Sequence, residues 1–252
     1  GGDAKGHHSA VHTHTHTHTH TQTGICTAHC SMRRGALIVL EGLDRCGKTT
    51  QCGLLLERLR AVSTAEPQLL KFPDRETSTG KLIHGYLAEG QQVHDRAVHL
   101  LFSANRWEKS DMIREALLAG SCIVCDRYAY SGIAFSAAKG IPLEWCRQCD
   151  VGLPEPDLVL FLDMPPGASE KRASYGEERY ERTDFQERVK DVFQELQQQE
   201  KERGCPWTII NADQSIEEVQ RDINLAVDAC LESCNQGKPV ASLWSDESTP
   251  AP

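Results

Sequence analysis

Short apolar runs alternate with longer segments of helical spacing along most of the chain. Ala36–Leu40, Leu69–Phe72, Cys122–Cys125, Leu158–Leu162 and Thr208–Ile210 read as strands. Pro73 stops the second of these, because proline cannot donate to a central ladder. Thr49–Val62 is a predicted helix with Leu54, Leu55 and Leu59 on one side. Val93–Lys109 keeps helical spacing through Val93, Ala97, Leu101, Ala104 and Glu108. Phe185, Val189, Val192, Phe193 and Leu196 form a further stripe. Ile216, Val219, Ile223, Ala226, Val227 and Cys230 form a closing amphipathic helix. Short apolar strands separated by helices predict an α/β fold, with a central parallel five-stranded sheet flanked by helices in three layers.

The two ends fall outside this pattern. Residues 1–31 carry no apolar face, so nothing repays the entropy of ordering them, and a disordered tail is expected. From His12 to Thr21 histidine alternates with threonine. Such a tract could bind metal, but a low-complexity tail translated from a dinucleotide repeat is the favoured reading. Met32 stands just before the first ordered-looking segment and is the expected natural start. Residues 245–252 are polar and proline-bearing, and are also expected to be disordered. The folded domain is thus placed at 32–244.

Composition narrows the function classes. The 252 residues have 27 basic against 36 acidic side chains, a net charge of −9. That argues against broad, non-specific nucleic-acid binding, which uses a basic footprint, though a few converging arginines could still hold a small anion. The longest apolar runs fall far short of the about 20 residues that span a bilayer. The eleven cysteines stand without a secretory leader pattern, and several lie in strand or loop segments. Reduced thiols are expected, in the cytoplasm with nuclear or mitochondrial pools left open. Cys122-x2-Cys125 and Cys146-x2-Cys149 mimic a zinc ribbon. Residues three apart on a strand point to opposite faces, so Cys122 and Cys125 are not expected to share a metal.

The first strand runs into Gly42-Leu-Asp-Arg-Cys-Gly47-Lys48-Thr49-Thr50, followed by a helix. This is the G-x-x-x-x-G-K-[ST] phosphate loop, in the strand–loop–helix setting it requires. Its backbone N–H groups and the helix N-terminus suit NTP phosphates. Gly42, Asp44, Arg45, Cys46, Gly47, Lys48, Thr49 and Thr50 are therefore the expected ATP-phosphate loop. Lys48 would reach the β- and γ-phosphates. The Thr49 hydroxyl would ligate Mg2+. Arg45, inside the loop, could bridge donor and acceptor phosphates. Asp44 is unusual, since phosphates repel a carboxylate, and it makes sense only against a hydroxyl or a metal-bound water.

Further arginines follow the strands. Arg75 ends Phe72-Pro-Asp-Arg75, and Asp126-Arg127-Tyr128 ends the third strand. Ligands of open α/β sheets bind outside the carboxyl ends of strands, so Arg75 and Arg127 are placed to converge on a second anion. Asp126 is placed near Mg2+. Phe102 and Arg106 stand at i, i+4 and share a helical face. Lys171–Arg182 is polar and mixed in charge, with Gly176 in the middle. It reads either as a solvated helix–loop or as a mobile lid, at about 167–183, whose arginines exclude water from the phosphates.

From about Arg33 to Trp244 the chain resembles eukaryotic-type thymidylate kinase, of the P-loop nucleoside monophosphate kinases. The resemblance rests on the phosphate loop together with Lys71-Phe-Pro-Asp-Arg75, Leu101-Phe-Ser-Ala-Asn-Arg-Trp107, Asp126-Arg-Tyr-Ala-Tyr-Ser-Gly132 and Val151-Gly-Leu-Pro154. It implies ATP-dependent phosphorylation of dTMP to dTDP for dTTP synthesis, in a homodimer packed through the Val93–Trp107 region. Phe102 would stack on thymine, and Arg106 would bond its carbonyl. Arg75 and Arg127 would hold the dTMP phosphate. Asp44 would accept from the sugar 3′-hydroxyl. Phe135 would leave no room for a 2′-hydroxyl, and Tyr180 would close over the substrate. Phe72 and Gly132 complete the expected dTMP site. Adenine would sit near Asn211, Ala212 and Asp213. Mg2+ is expected at Thr49, Asp126 and Glu181. The expected catalytic residues are Arg45, Lys48, Asp126, Arg172 and Arg179, with the division between loop and lid arginines open. Thr49-Thr50 stands where Ser-Thr is common in the family, and Asp74 where glutamate is usual. Two other readings remain: a deoxynucleoside kinase, which the paired arginines disfavour, and a nucleotide-binding scaffold without turnover.

Overall fold

The structure is a computed structural model that describes residues 1–2, 34–63, 65–165, 179–180 and 182–245. The chain divides into two units, Gly1–Cys30 and Ser31–Pro252. The strands of the second unit are β1 (Leu37–Gly42), β2 (Gln68–Lys71), β3 (Ile123–Asp126), β4 (Leu158–Asp163) and β5 (Trp207–Asn211). They form one five-stranded sheet in the order β2-β3-β1-β4-β5, with every pairing parallel. Its helices are α1 (Lys48–Val62), α2 (Ser78–Ala88), α3 (Asp95–Trp107), α4 (Ser110–Leu118), α5 (Ala129–Ala137), α6 (Leu143–Gln148), α7 (Thr183–Glu202) and α8 (Ile216–Asn235).

Side-chain alternation along β1 explains the layers. Leu37 and Val39 join a core with Ile113 and Leu117 of α4, Ile133 of α5 and Phe185, Val189 and Phe193 of α7. Ile38 and Leu40 point the other way, against Leu55 and Leu59 of α1 and Val219, Ile223 and Val227 of α8. A sheet covered on both faces takes largely apolar strands, and all six residues of β1 are buried, Glu41 among them. Cys122 and Cys125 fall in the two opposite cores, as the strand period requires.

Two helix faces differ from expectation. On α1, Leu55 and Leu59 are buried as expected, together with Cys52 and Leu56, but Leu54 is exposed. On α3, Ala97 is exposed, as is Glu108 just past its end, while Val98, His99, Ser103, Asn105 and Arg106 are buried. The apolar spacing misled here because α3 buries a polar face whose groups are satisfied by hydrogen bonds. His99 meets Ser136 Oγ at 2.7 Å and the Cys146 carbonyl at 2.9 Å.

Candidate active site

All strands run the same way, so the loops after β1, β2 and β3 emerge at one edge. In the loop after β1, Gly42 and Gly47 have φ of 142° and 101°, which favours glycine. A Cβ on Gly42 would lie 2.7 Å from the Leu162 carbonyl oxygen. Lys48 Nζ donates to the carbonyls of Leu43 at 2.5 Å and Gly42 at 3.2 Å, so the ammonium lies within the curl. Gly47 caps α1 without a side-chain hydrogen bond, which leaves the first helical N–H groups to an anion. The Thr49 hydroxyl donates to Asp126 Oδ2 at 2.6 Å.

Beside the loop lies a cavity of about 420 Å³, of a size suited to a small ligand. Asp44, Arg45, Lys48, Thr49 and Asp126 border it, and so does every expected dTMP contact: Phe72, Arg75, Phe102, Arg106, Arg127, Gly132, Phe135 and Tyr180 as well as Asp44. Arg45 and Arg127 have φ of 60° and 69°. Non-glycine residues pay roughly 1–3 kcal/mol for such a conformation, and it concentrates at functional sites.

The acceptor-side charges are tightly held. Arg127 pairs with Asp44 and donates through Nη1 to the Gly42 carbonyl at 2.9 Å and Ser131 Oγ at 3.0 Å. Burial works against its charge, and Asp44, Asp126 and Glu41 more than offset it, so the guanidinium pKa is raised. Gln186 Nε2 donates to the other Asp44 oxygen at 2.7 Å. Asp44 thus has a second explanation among the phosphates: Arg127 neutralises it. A carboxylate has about four lone-pair sites, so a sugar hydroxyl remains compatible. Arg75 donates to His84 Nδ1 at 3.1 Å.

Arg106 is buried and paired with Asp150 at 2.5 Å through Nη2 and 3.2 Å through Nε. A Cβ on Gly132 would stand 2.7 Å from its Nη2, so glycine keeps the arginine's channel open. Glu41, at the end of β1, accepts the N–H groups of Tyr128 at 2.9 Å and Ser131 at 3.1 Å. Burial pushes the Glu41 carboxyl up, against the pull of Ser131 and Arg127. This buried carboxylate fixes the start of α5 beneath Arg127.

Several expected site residues lie apart from the cavity. Arg179, an expected catalytic residue, donates through Nε to the Tyr86 carbonyl at 3.1 Å and through Nη2 to the Gln91 carbonyl at 2.9 Å. Arg179 lines a different hollow, with Tyr86, His94, Asp95 and Lys139. Asn211 and Asp213 are exposed at the end of β5, while Ala212 is buried and bonded to the Asp163 carbonyl at 2.7 Å. Two strands separate them from β3, so they do not border the cavity. Arg172, Glu181 and most of the 167–183 lid lie outside the described residues. Sequence reasoning missed Gln186, Asp150, Ser131 and Glu41. Nothing local marks Asp150 or Gln186, which meet their partners from 44 and 142 residues away.

A glycine loop after β1, arginines after β2 and β3, and a shared cavity define a P-loop phosphotransferase with a phosphorylated acceptor. The sequence pattern described as thymidylate kinase matches residues 40–223. A thymidylate kinase of Homo sapiens is 47% identical over 84% of this chain and 98% of its own length. One of Arabidopsis thaliana is 47% identical over 88% and 82%. A solved thymidylate kinase from Candida albicans superposes with a TM-score of 0.71 at 38% identity, over 80% of this chain and 94% of that one. The chain belongs to the thymidylate kinase family.

Proposed function

We propose that this chain transfers the γ-phosphoryl group of ATP to dTMP, giving dTDP for dTTP synthesis. One observation carries the reading: Arg75 and Arg127 border the same cavity as the phosphate loop. Two arginines beside an NTP site suit an acceptor that already bears a phosphate. A nucleoside would need no such pair.

The lining supports the acceptor roles that the resemblance implies. Phe102 stacks on thymine, Arg106 faces its carbonyl, and Asp44 accepts from the 3′-hydroxyl. Phe135, with the Arg127 guanidinium 5.2 Å from its ring centroid, fills the space a 2′-hydroxyl would take. On the donor side, adenine rests near Asn211–Asp213. Arg45 spans donor and acceptor oxygens and carries the main catalytic charge, with Lys48 on the β- and γ-phosphates. Phosphoryl transfer depends chiefly on such positioning and charge.

The residues present suit Mg2+. Thr49 Oγ1 and Asp126 Oδ2 converge at 2.6 Å, an all-oxygen donor pair of the kind a hard cation takes alongside phosphates. Among the described residues no three His, Cys, Asp or Glu side chains form a cage of their own, and Mg2+ at nucleotide sites seldom needs one. When bound, the ion would neutralise charge on the phosphates.

A homodimer is part of the reading, supported by the exposure of Leu100 and Trp107 on α3. Among the described residues no helix is long and apolar enough to cross a membrane. The deciding experiment measures ADP formation with dTMP, dUMP, UMP and thymidine as acceptors. Turnover with dTMP well above the others is expected. Preference for thymidine would make the chain a nucleoside kinase, and no turnover at all a scaffold.

A further inference from the structure

Tyr86 lies buried in the last turn of α2, and two neighbouring segments meet on it, with a third braced behind one of them. Lys139, just past α5, donates its ammonium to the Tyr86 hydroxyl at 3.0 Å. Asp95, the first residue of α3, holds the same ammonium at 2.9 Å. The Tyr180 hydroxyl donates to the Tyr86 hydroxyl at 3.2 Å. The Arg179 guanidinium covers the Tyr86 ring, 4.2 Å from its centroid.

Tyr180 is the residue this arrangement aims. Its ring borders the acceptor cavity and packs on Phe135 and Phe185, with centroids 5.3 and 5.2 Å away. Its carbonyl accepts from Gln186 Nε2 at 3.0 Å, the same amide group that donates to Asp44. Tyr180 is thus gripped at both ends, by the phosphate-loop side through Gln186 and by α2 through Tyr86. Ring packing alone would fix neither its rotation nor its depth. Two hydroxyls and an ammonium within hydrogen-bond reach do both.

We infer that Tyr86 is a positioning residue whose hydroxyl, fixed by Lys139, sets Tyr180 against the acceptor. The inference rests on the reading of the cavity as the dTMP site. It also gives Arg179 a place: the arginine serves as the clamp on Tyr86 and not as a group at the phosphates.

The test uses the full chain. dTMP affinity is measured by calorimetry, and the ATP KM and Tm are followed as controls, for Tyr86→Phe, Tyr180→Phe, their double variant, Lys139→Arg and Lys139→Met. Loss of one hydrogen bond predicts a dTMP affinity lower by about 2- to 12-fold in Tyr86→Phe, with the ATP KM unmoved and Tm lower by no more than a few degrees. The double variant should be no weaker than the weaker single one, because both singles remove the same bond. Lys139→Met should cost at least as much as Tyr86→Phe, because the ammonium also lies over the Tyr180 ring, 4.9 Å from its centroid, and Lys139→Arg should restore most of the affinity. Unchanged dTMP affinity in Tyr86→Phe, additive losses in the double variant, or a joint fall of both nucleotides with Tm would overturn the inference. A wild-type chain that fails to bind dTMP would overturn the acceptor reading with it.

Discussion

At the amino end of the sheet Arg34 meets Asp157, and at the carboxyl end Arg127 meets Asp44. The same two side-chain types flank β1 at both ends, each pair joining its flank to a neighbouring strand. Arg34 forms a two-pronged contact with Asp157, at 2.6 and 2.7 Å. It also donates to the carbonyls of Gly35, Lys238 and Pro239. All five N–H groups of that guanidinium are engaged. Arg127 uses three of its five on described residues, for Gly42, Ser131 and Asp44, and it faces a cavity. A saturated arginine closes a fold. An arginine with spare donors and a left-handed backbone is set to receive an anion.

The largest expected effect breaks the saturated pair. Removing one partner of a buried pair costs about 3–5 kcal/mol, so Asp157→Ala should lower unfolding free energy by that order in urea titration. The KM values of the surviving folded protein should not move; a raised dTMP KM would erase the distinction between the two ends. A pH dependence accompanies it. Burial pushes the Asp157 carboxyl up, but the Arg34 and Leu37 hydrogen bonds outweigh it and hold the pKa below the usual value. A lowered folded-state pKa means that this stability is present above the ordinary carboxylate range and is lost as pH falls through the lowered value. Asp157→Asn should therefore flatten the acid limb of a stability–pH curve.

At the carboxyl end, Arg45→Ala should cut kcat with little change in either KM. Arginines that neutralise the moving phosphoryl group are worth roughly 10³–10⁵ in rate, and the low end, about 10³ or somewhat less, is expected. Arg45→Lys should recover only part, because a point charge does not bridge two phosphates as a planar fork does. Near-normal kcat in Arg45→Ala, with collapse in Arg172→Ala, would move catalysis out of the loop. Phe102→Ala should come next, raising the dTMP KM about 5- to 150-fold, the worth of one stacked base. An equal rise for ATP would make Phe102 plain helix packing.

The smallest effect sharpens the amino end. Deleting residues 1–31 should leave Tm and turnover unchanged, since the cut stops short of Arg34. A fall of several degrees would extend the clamp into the tail.

The strands and the phosphate loop were legible because their signals are local: mostly apolar runs of three to five residues, and glycines at fixed offsets from a lysine. Arg75 and Arg127 were legible from their place after strands. Arg34 was not, since nothing in Arg33-Arg34-Gly35 tells of carbonyls more than 200 residues away. Helix α2 gave no clear stripe because Gly80 and Gly85 interrupt it; a Cβ on Gly80 would stand 1.8 Å from the Asp74 carbonyl oxygen. The polar face of α3 hid for the opposite reason. Its buried positions hold His99, Ser103, Asn105 and Arg106, whose partners lie on other segments.

The Arg34 contacts also set a schedule for synthesis. The Lys238 carbonyl that seals Arg34 is 204 residues downstream. At about 5–20 residues per second, a ribosome needs roughly 10–40 s to reach it. Through that interval the first strand's amino edge lacks its final seal, even after β4 has arrived. A message cut short before the codon for Lys238 would yield a chain with its P-loop motif intact and its base unsealed, a natural substrate for quality-control proteases.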